Sequence, residues 1–142
     1  MEESIKQELK NQILEAFGAG EKDVRTFSPL ALAFVGDAVY SLVFRTLEIE
    51  KGNRQVNKLH LDTNVHVRAT SQAKAAEIIL PLLSEEEISV FKRGRNAAPS
   101  GHVRSATDEE YRAATGLEAL CGYLYLTGRT DRLLELLKAA EL

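Results

Sequence analysis

The sequence of 142 residues has no tryptophan, one cysteine, one methionine and three prolines. A single cysteine, Cys121, excludes an internal disulfide, and no Cys/His spacing typical of a zinc site is present. The N-terminal stretch MEESIKQELK is acidic and lacks the apolar segment of a signal peptide. No run approaches the roughly 20 apolar residues that span a bilayer. We therefore expect a cytoplasmic protein that has no contact with a membrane.

Positive charge is also scarce, since 18 Lys and Arg residues stand against 21 Asp and Glu residues. The cations are nevertheless concentrated in two places. Residues 51–74 contain five cations and only one acid, and residues 91–104 contain four cations and no acid. A polyanion responds to the local field within a Debye length of about 8–10 Å. These two segments are therefore candidate phosphate-contacting surfaces despite the net charge of −3.

Strand signals are missing, because apolar residues recur every three or four positions and show no sustained period-two alternation. Capping boxes mark two helix starts, at Ser84 and Thr107, and the pair Ser28-Pro29 marks a third. Gly94 is expected to end a helix, which leaves residues 94–106 as a basic loop. We predict an all-α fold in a single domain, residues 1–142, with a peripheral N-terminal helix within residues 1–20. The predicted helices are 4–17, 28–51, 55–61, 66–80, 85–93, 108–127 and 130–140.

The two most apolar predicted helices each carry an acid within an apolar stretch. Asp37 lies in LALAFVGDAVYSLVF, and Glu118 lies in AATGLEALCGYLYLTG. An ionised carboxylate taken out of water costs several kcal/mol unless something pairs with it. One explanation is structural: each acid caps a helix or pairs with an arginine such as Arg45 or Arg112. The other is that the two buried acids face each other and hold a divalent cation.

Small residues beside the acids favour the second explanation. Gly36 and Gly122 flank the acids, and a glycine within a helix costs about 1 kcal/mol relative to alanine. We expect these glycines to allow two helices to approach closely. Two carboxylates suit Mg²⁺, with Mn²⁺ as an alternative, because such a metal takes its other ligands from water and substrate phosphates. The predicted chemistry is phosphodiester hydrolysis.

These residues resemble the catalytic domain of the ribonuclease III family. FVGDAVY is similar to the signature helix of that domain, and TGLEALCGYLYL is similar to its second acidic motif. The blocks LALAFVGDAVY, NKLH with TSQAKA, FKRGRNA and YRAATGLEAL resemble, in this order, the short branch of Mini-ribonuclease III proteins. The resemblance extends from about Ser28 to Leu126. It places Asp37 on the signature aspartate and Glu118 on the catalytic glutamate.

The resemblance implies a ribonuclease III-type endonuclease domain that acts on double-stranded RNA as a two-fold homodimer, without a separate double-stranded-RNA-binding domain. It implies one Mg²⁺-dependent site per subunit and a role in maturation of the 23S ribosomal RNA precursor, with a ribosomal protein as a candidate helper. Ribonuclease III proper has two further acids, at positions where this sequence has Ala33 and Thr115. We therefore expect one well-held Mg²⁺, with water and RNA phosphate completing its shell.

Two other hypotheses remain open. The chain could be a catalytically inactive ribonuclease III-like scaffold that binds RNA, which the loss of acids at Ala33 and Thr115 favours. It could also be a helical protein-interaction domain in which both acids form salt bridges. Metal-dependent duplex cleavage would distinguish an enzyme from the inactive scaffold. RNA affinity that falls with salt would distinguish both of these from the protein-interaction domain.

We predict an RNA-binding surface formed by the two basic segments. A-form RNA hides its base edges in a deep major groove, so such a surface reads shape, 2′-hydroxyls and phosphates. The other explanation for the basic residues 92–95 is that cations are favourable at the C-terminal end of a helix. The candidate RNA-binding residues are Lys58, His60, Lys92, Arg93, Arg95, Asn96, His102 and Arg104.

Overall fold

The computed structural model describes residues 8–99 and 106–141. Within these ranges the chain forms seven α-helices and no strand, which confirms the all-α prediction. Short 3₁₀ turns lie at Val24–Thr26 and Leu80–Leu82. The helices are α1 (Leu9–Ala16), α2 (Pro29–Glu50), α3 (Val56–Val67), α4 (Ala69–Ile79), α5 (Glu85–Ala97), α6 (Asp108–Leu126) and α7 (Thr130–Ala140).

Helix α6 lies at the centre of the molecule and packs against α2, α4, α5 and α7. Its side chains Leu117, Leu120 and Leu124 are fully buried. They join one apolar core with residues from the surrounding helices, including Phe44 of α2 and Phe91 of α5. Burying such large apolar side chains contributes roughly 1.5–3 kcal/mol each. Helix α6 is therefore central, as predicted, whereas α2 packs along it and leaves large apolar side chains such as Phe34 exposed on its outer face.

Three helices begin where the sequence predicts a cap. Ser28 accepts a hydrogen bond from the Ala31 amide at 3.1 Å, and Pro29 occupies the first position of α2. Ser84 begins α5 and Thr107 begins α6, each with a complete capping box. The side-chain acceptors satisfy amide groups that have no partner inside the helix. These starts depend on residues three positions apart, so the sequence alone locates them.

Several helix ends differ from the prediction. Helix α3 continues to Val67 instead of ending at residue 61. Helix α5 continues through Gly94 to Ala97, so the prediction that Gly94 ends a helix was wrong. Gly94 instead faces α6, where an added Cβ would lie 2.6 Å from the Ala119 Cβ. The predicted loop is correspondingly shorter, and its residues 100–105 lie outside the described residues, as do residues 4–7 of the predicted first helix.

Helix α2 is long and apolar enough, by length and composition, to cross a membrane, which we did not expect from the sequence. That measure is weak evidence, because central helices of soluble proteins pass it too. Helix α2 packs along α6 and carries Asp37, Arg45 and Glu48 within its length. Charges at the middle of a span are costly in lipid. We therefore interpret α2 as a helix of the folded domain that packs along α6 on one face.

Candidate active site

Helices α2 and α6 cross at Gly36 and Gly122, where their backbones touch. A Cβ at Gly36 would lie 1.7 Å from the carbonyl oxygen of Glu118. A Cβ at Gly122 would lie 2.0 Å from the carbonyl oxygen of Leu32. Neither position has room for any side chain, which confirms that the glycines allow close approach. The crossing brings Asp37, the residue after Gly36, next to Glu118.

The carboxyl group of Asp37 lies close enough to that of Glu118 to act on its pKa, through its charge and through a hydrogen bond. Glu118 is half-buried between helices, whereas Asp37 is exposed. The prediction that both acids are buried was therefore wrong for Asp37, because this position of α2 faces solvent rather than α6. The pair consists of one carboxyl group held in the fold and one that an external molecule can reach.

The electrostatics of the pair are unfavourable for two negative charges. Burial, the negative charge of Asp37 and a hydrogen bond with Asp37 raise the pKa of Glu118 to about 8, and burial is the largest of these causes. Within the described ranges neither acid forms an ion pair with a cationic side chain. The guanidinium of Arg45 instead donates to the Ser41 hydroxyl at 3.1 Å. The structure thus gives no support to the salt-bridge explanation.

The donor set fits a hard divalent cation. In the part of the chain that the structure describes, no histidine, cysteine or third acid joins Asp37 and Glu118. Ala33 is buried, and the hydroxyl of Thr115 donates within its own helix to the Tyr111 carbonyl at 3.0 Å. Two carboxylates whose charges repel each other, one of them open to solvent, suit Mg²⁺ or Mn²⁺ with water and phosphate oxygens as further ligands.

A third polar side chain, which sequence reasoning missed, lies beside Glu118. Gln72 of α4 is 1% exposed, and its amide lowers the pKa of Glu118 against the effect of burial. Its Nε2 has no hydrogen-bond partner of normal geometry among the described residues. The sequence offered no specific signal for Gln72, because its helix ATSQAKAAEII contains four other polar or charged residues.

Comparison with known proteins identifies the family to which this site belongs. The ribonuclease III domain matches residues 30–129, which include both acids and both glycines of the crossing. The chain belongs to the ribonuclease III family. It is 47% identical over 115 residues to a Mini-ribonuclease 3 of Symbiobacterium thermophilum, which covers 81% of this chain and 88% of that protein. It is 46% identical over 118 residues to a Mini-ribonuclease 3 of Thermoanaerobacter sp., which covers 83% of each.

A solved structure extends the likeness to three dimensions. A crystal structure of a protein from Fusobacterium nucleatum matches the chain with a TM-score of 0.76 and 32% sequence identity, covering 83% of this chain and 94% of that protein. The protein is thus an endoribonuclease of the ribonuclease III type, and the sequence resemblance to the Mini-ribonuclease III branch is confirmed.

Two of the predicted RNA-binding residues lie on α3. Lys58 forms an ion pair with Asp62 at 3.1 Å, one helical turn away, and remains exposed. His60 is exposed and lines a cavity of about 620 Å³ together with Arg45 and Asn64. Because the Lys58–Asp62 pair is at the surface, it is worth at most about 1 kcal/mol. A phosphate can therefore compete with Asp62 for this lysine.

The second basic segment of this ribonuclease lies at the end of α5. Lys92 and Arg93 are exposed, and neither makes an ion pair within residues 8–99 and 106–141. Arg95 is half-buried and its Nε lies 3.4 Å from Oδ1 of the exposed Asn96. The remaining two candidates, His102 and Arg104, lie outside the described residues. Their assignment to RNA binding stays a prediction.

Proposed function

We propose that the protein is a Mg²⁺-dependent endoribonuclease that cleaves double-stranded RNA, with Asp37 and Glu118 as both its catalytic and its metal-holding residues. The observation that carries this proposal is the uncompensated carboxyl pair. Helix crossing at Gly36 and Gly122 forces two acids together, and no cation of the described chain neutralises them. Such an arrangement costs stability, so it is explained best by a ligand that the fold is built to accept.

Asp37 and Glu118 are the residues that would hold the metal. When bound, a divalent cation stabilises charge on the scissile phosphate and lowers the pKa of a bound water. Packing between α2 and α6 holds the Glu118 backbone in place, while Asp37 is exposed and therefore accessible to a substrate. Both groups act as ligands in their ionised form. At subsaturating Mg²⁺ we therefore expect cleavage to increase as the pH rises towards the Glu118 pKa of about 8.

The basic segments are proposed as phosphate contacts. Lys92 and Arg93 present charges on α5 that pair with no acid of the described residues, and Lys58 and His60 present donors on α3. Each phosphate that a side chain neutralises steepens the fall of affinity with salt. Replacing Lys92 and Arg93 together by glutamine should therefore weaken duplex binding and reduce the salt dependence, as measured by fluorescence anisotropy. The full proposed set is Lys58, His60, Lys92, Arg93, Arg95, Asn96, His102 and Arg104.

The outer face of α2 supports a homodimer. Phe34 is 81% exposed, and Leu42 and Leu47 are exposed on the same helix. With Leu134 of α7 they line an apolar groove of about 1140 Å³, which Asp37 also borders. Monomeric proteins rarely leave an apolar surface of this kind uncovered. We propose that a second copy covers it, so that two sites and two basic faces engage one duplex; Phe34→Asp should yield a monomer in sedimentation analysis.

The natural substrate and compartment are proposed from the family. The relatives are named Mini-ribonuclease 3, and the resemblance implies that this branch acts on the 23S ribosomal RNA precursor. We propose the same substrate class here, in the cytoplasm, with a ribosomal protein as a candidate helper. A primer-extension comparison of precursor ends in cells with and without the enzyme tests this part separately from the chemistry.

Duplex cleavage tests the central proposal. Wild-type protein, Asp37→Asn and Glu118→Gln are incubated with a long RNA duplex and Mg²⁺, and cut strands are resolved on denaturing gels. Each variant should lose at least about 100-fold in rate, because loss of an outer-shell partner alone costs 10–100-fold. The exposed Glu109 begins the same helix as Glu118, and Glu109→Gln is the matched control, expected to cut normally. Unchanged cleavage by both site variants would exclude this assignment.

The inactive scaffold is the second candidate, and the absence of acids at Ala33 and Thr115 favours it. It predicts that wild-type protein binds duplex RNA equally well with Mg²⁺ or with chelator and shows no turnover. The enzyme hypothesis predicts turnover that chelator abolishes. The same gel assay, run with EDTA, separates the two.

A further inference from the structure

Gln72 is a buried polar residue that neither the packing of the core nor the helix caps explain. Its side chain is 1% exposed, and the Nε2 donors have no acceptor of normal geometry within the described residues. A buried donor without a partner is destabilising, because it loses its hydrogen bonds to water and regains none. Such groups are rare, so each one calls for a specific reason.

The position of Gln72 on α4 indicates why a polar side chain is buried there. Gln72 shares one helical face with Ala75, Ala76 and Ile79, and all four are buried. The three apolar residues enter the main core against α6. Gln72 is the polar member of this face, and the group that its amide acts on is the Glu118 carboxyl. The Gln72 amide therefore lies beside the Glu118 carboxyl group.

We propose that Gln72 is a positioning residue of the site: its amide N–H has no acceptor of normal geometry among the described residues of the metal-free fold, and it donates to the Glu118 carboxylate, fixing its orientation, once a divalent cation holds that group ionised. This inference rests on the proposed function of the Asp37–Glu118 pair. A carboxylate that binds a cation through one lone pair keeps others free, and an outer hydrogen bond to one of them sets its orientation. Gln72 is the buried donor that the described structure places there.

The sparse ligand set makes such a residue important. Two carboxylates must hold the cation with no third acid, histidine or cysteine among the described residues. A cationic partner for Glu118 would compete with the metal by neutralising its ligand, whereas a neutral amide orients the carboxylate and leaves its charge available. Glutamine is therefore better suited to this position than lysine or arginine.

Mn²⁺ binding and metal-free stability together test the inference. Gln72→Met keeps the length and volume of the side chain and removes the donor. We expect Mn²⁺ affinity, measured by calorimetry without RNA, to weaken by about 10-fold or more. The melting temperature of the metal-free protein should stay the same or rise, because a buried unpaired donor is gone. A purely structural role predicts the reverse: a lower melting temperature with unchanged Mn²⁺ affinity, which would overturn the inference.

Two further variants complete the design. Gln55 is exposed, and its side chain makes no capping bond at the start of α3, so Gln55→Met is the matched control and should change neither quantity. Gln72→Asn shortens the side chain by one methylene group, which moves the amide away from Glu118, and should also weaken Mn²⁺ binding. If Gln72→Met fails to fold, Gln72→Asn decides, and wild-type Mn²⁺ affinity in that variant overturns the inference.

Glu118→Gln distinguishes this inference from the proposed function. If Glu118→Gln abolishes Mn²⁺ binding and Gln72→Met leaves it unchanged, the site stands and the role of Gln72 is refuted. If Glu118→Gln leaves Mn²⁺ binding unchanged, the site itself is wrong and the role of Gln72 is lost with it. Loss of affinity in both variants, with Glu118→Gln the larger, supports both.

Discussion

Glu87, at the start of α5, and Glu118, in the middle of α6, are both withdrawn from solvent but meet opposite electrostatic surroundings. Arg132 donates to both oxygens of Glu87, at 2.9 and 2.8 Å. These bonds, with the Ser84 amide, lower the pKa of Glu87 to about 2. Glu118 faces a second carboxyl group instead, and its pKa is raised to about 8, chiefly by burial. Burial alone therefore does not distinguish the two acids; what distinguishes them is that cations neutralise Glu87 and that no cation of the described residues neutralises Glu118.

Glu48, on α2, resembles Glu87 because cationic side chains lie beside its carboxylate. It is buried, and its carboxylate contacts Lys51 at 2.9 Å and Arg54 at 3.0 Å, with the imidazole of His66 at 3.4 Å. The hydrogen bond from Lys51 holds the pKa of Glu48 below its usual value. His66 also stacks on Phe44, with ring centroids 4.7 Å apart. This cluster joins α2 to α3, which gives His66 a structural role.

The largest expected effect comes from removing the charge of Glu87. Glu87→Gln leaves Arg132 and Arg129 without their shared carboxylate. Because both arginines are partly exposed, the expected cost is that of losing charge-assisted hydrogen bonds, about 1.5–3 kcal/mol. Glu118→Gln removes a repulsive charge and should leave the free energy of unfolding unchanged or higher. Urea denaturation in EDTA, at a pH near the Glu118 pKa of about 8, measures both. Equal losses of unfolding free energy in the two variants would show that Glu87 and Glu118 do not differ in their contribution to stability.

The next effect is the pH dependence of stability, in which the two glutamates act in opposite directions. Glu118 has a folded pKa of about 8 against an ordinary 4.5, so its contribution is present below about 4.5 and is lost as the pH rises towards 8. Glu87 has a folded pKa of about 2 against 4.5, so its contribution is present above 4.5 and is lost as the pH falls towards 2. Melting curves of metal-free protein across this range should show both losses.

Single substitutions show which glutamate causes each loss of stability. Glu118→Gln should remove the loss on the alkaline side only, and Glu87→Gln the loss on the acid side only. Adding Mg²⁺ at the alkaline end should raise the melting temperature of the wild type, because a ligand that binds only the folded state stabilises it. It should have no such effect on Glu118→Gln. An alkaline loss that survives in Glu118→Gln would contradict the raised pKa.

The smallest effect is expected at Glu48. Lys51 is 61% exposed, and Glu48 retains Arg54 when Lys51 is lost. Lys51→Met should therefore change the free energy of unfolding by about 0.5 kcal/mol or less, as surface ion pairs do. Arg54→Met is the matched comparison and should cost more, since Arg54 also donates to the Glu48 carbonyl at 3.0 Å. Thermal melts of the two variants side by side measure the difference.

Much of the fold was readable from neighbouring residues. The caps at Ser28, Ser84 and Thr107 begin helices as predicted. The glycines beside the two acids predicted a close helix crossing, and Gly36 and Gly122 form it. Gly94 misled the prediction, because a glycine that ends a helix and a glycine that admits a neighbouring helix look the same in the sequence.

By itself the sequence determined that the fold is all-α and where the capped helices α2, α5 and α6 begin, whereas α4 begins at Ala69 and not at the predicted residue 66. It also singled out Asp37 and Glu118 as an unusual pair. These features depend on residues that lie within one or two helical turns of each other, so their spacing can be read from the sequence. Only the tertiary structure decided that Asp37 is open to solvent, that Glu87 and Glu48 are neutralised, and that an amide from α4 reaches the site. The reason is that the field at a carboxyl group depends on side chains a few ångströms away in space, and packing brings these together from distant parts of the chain.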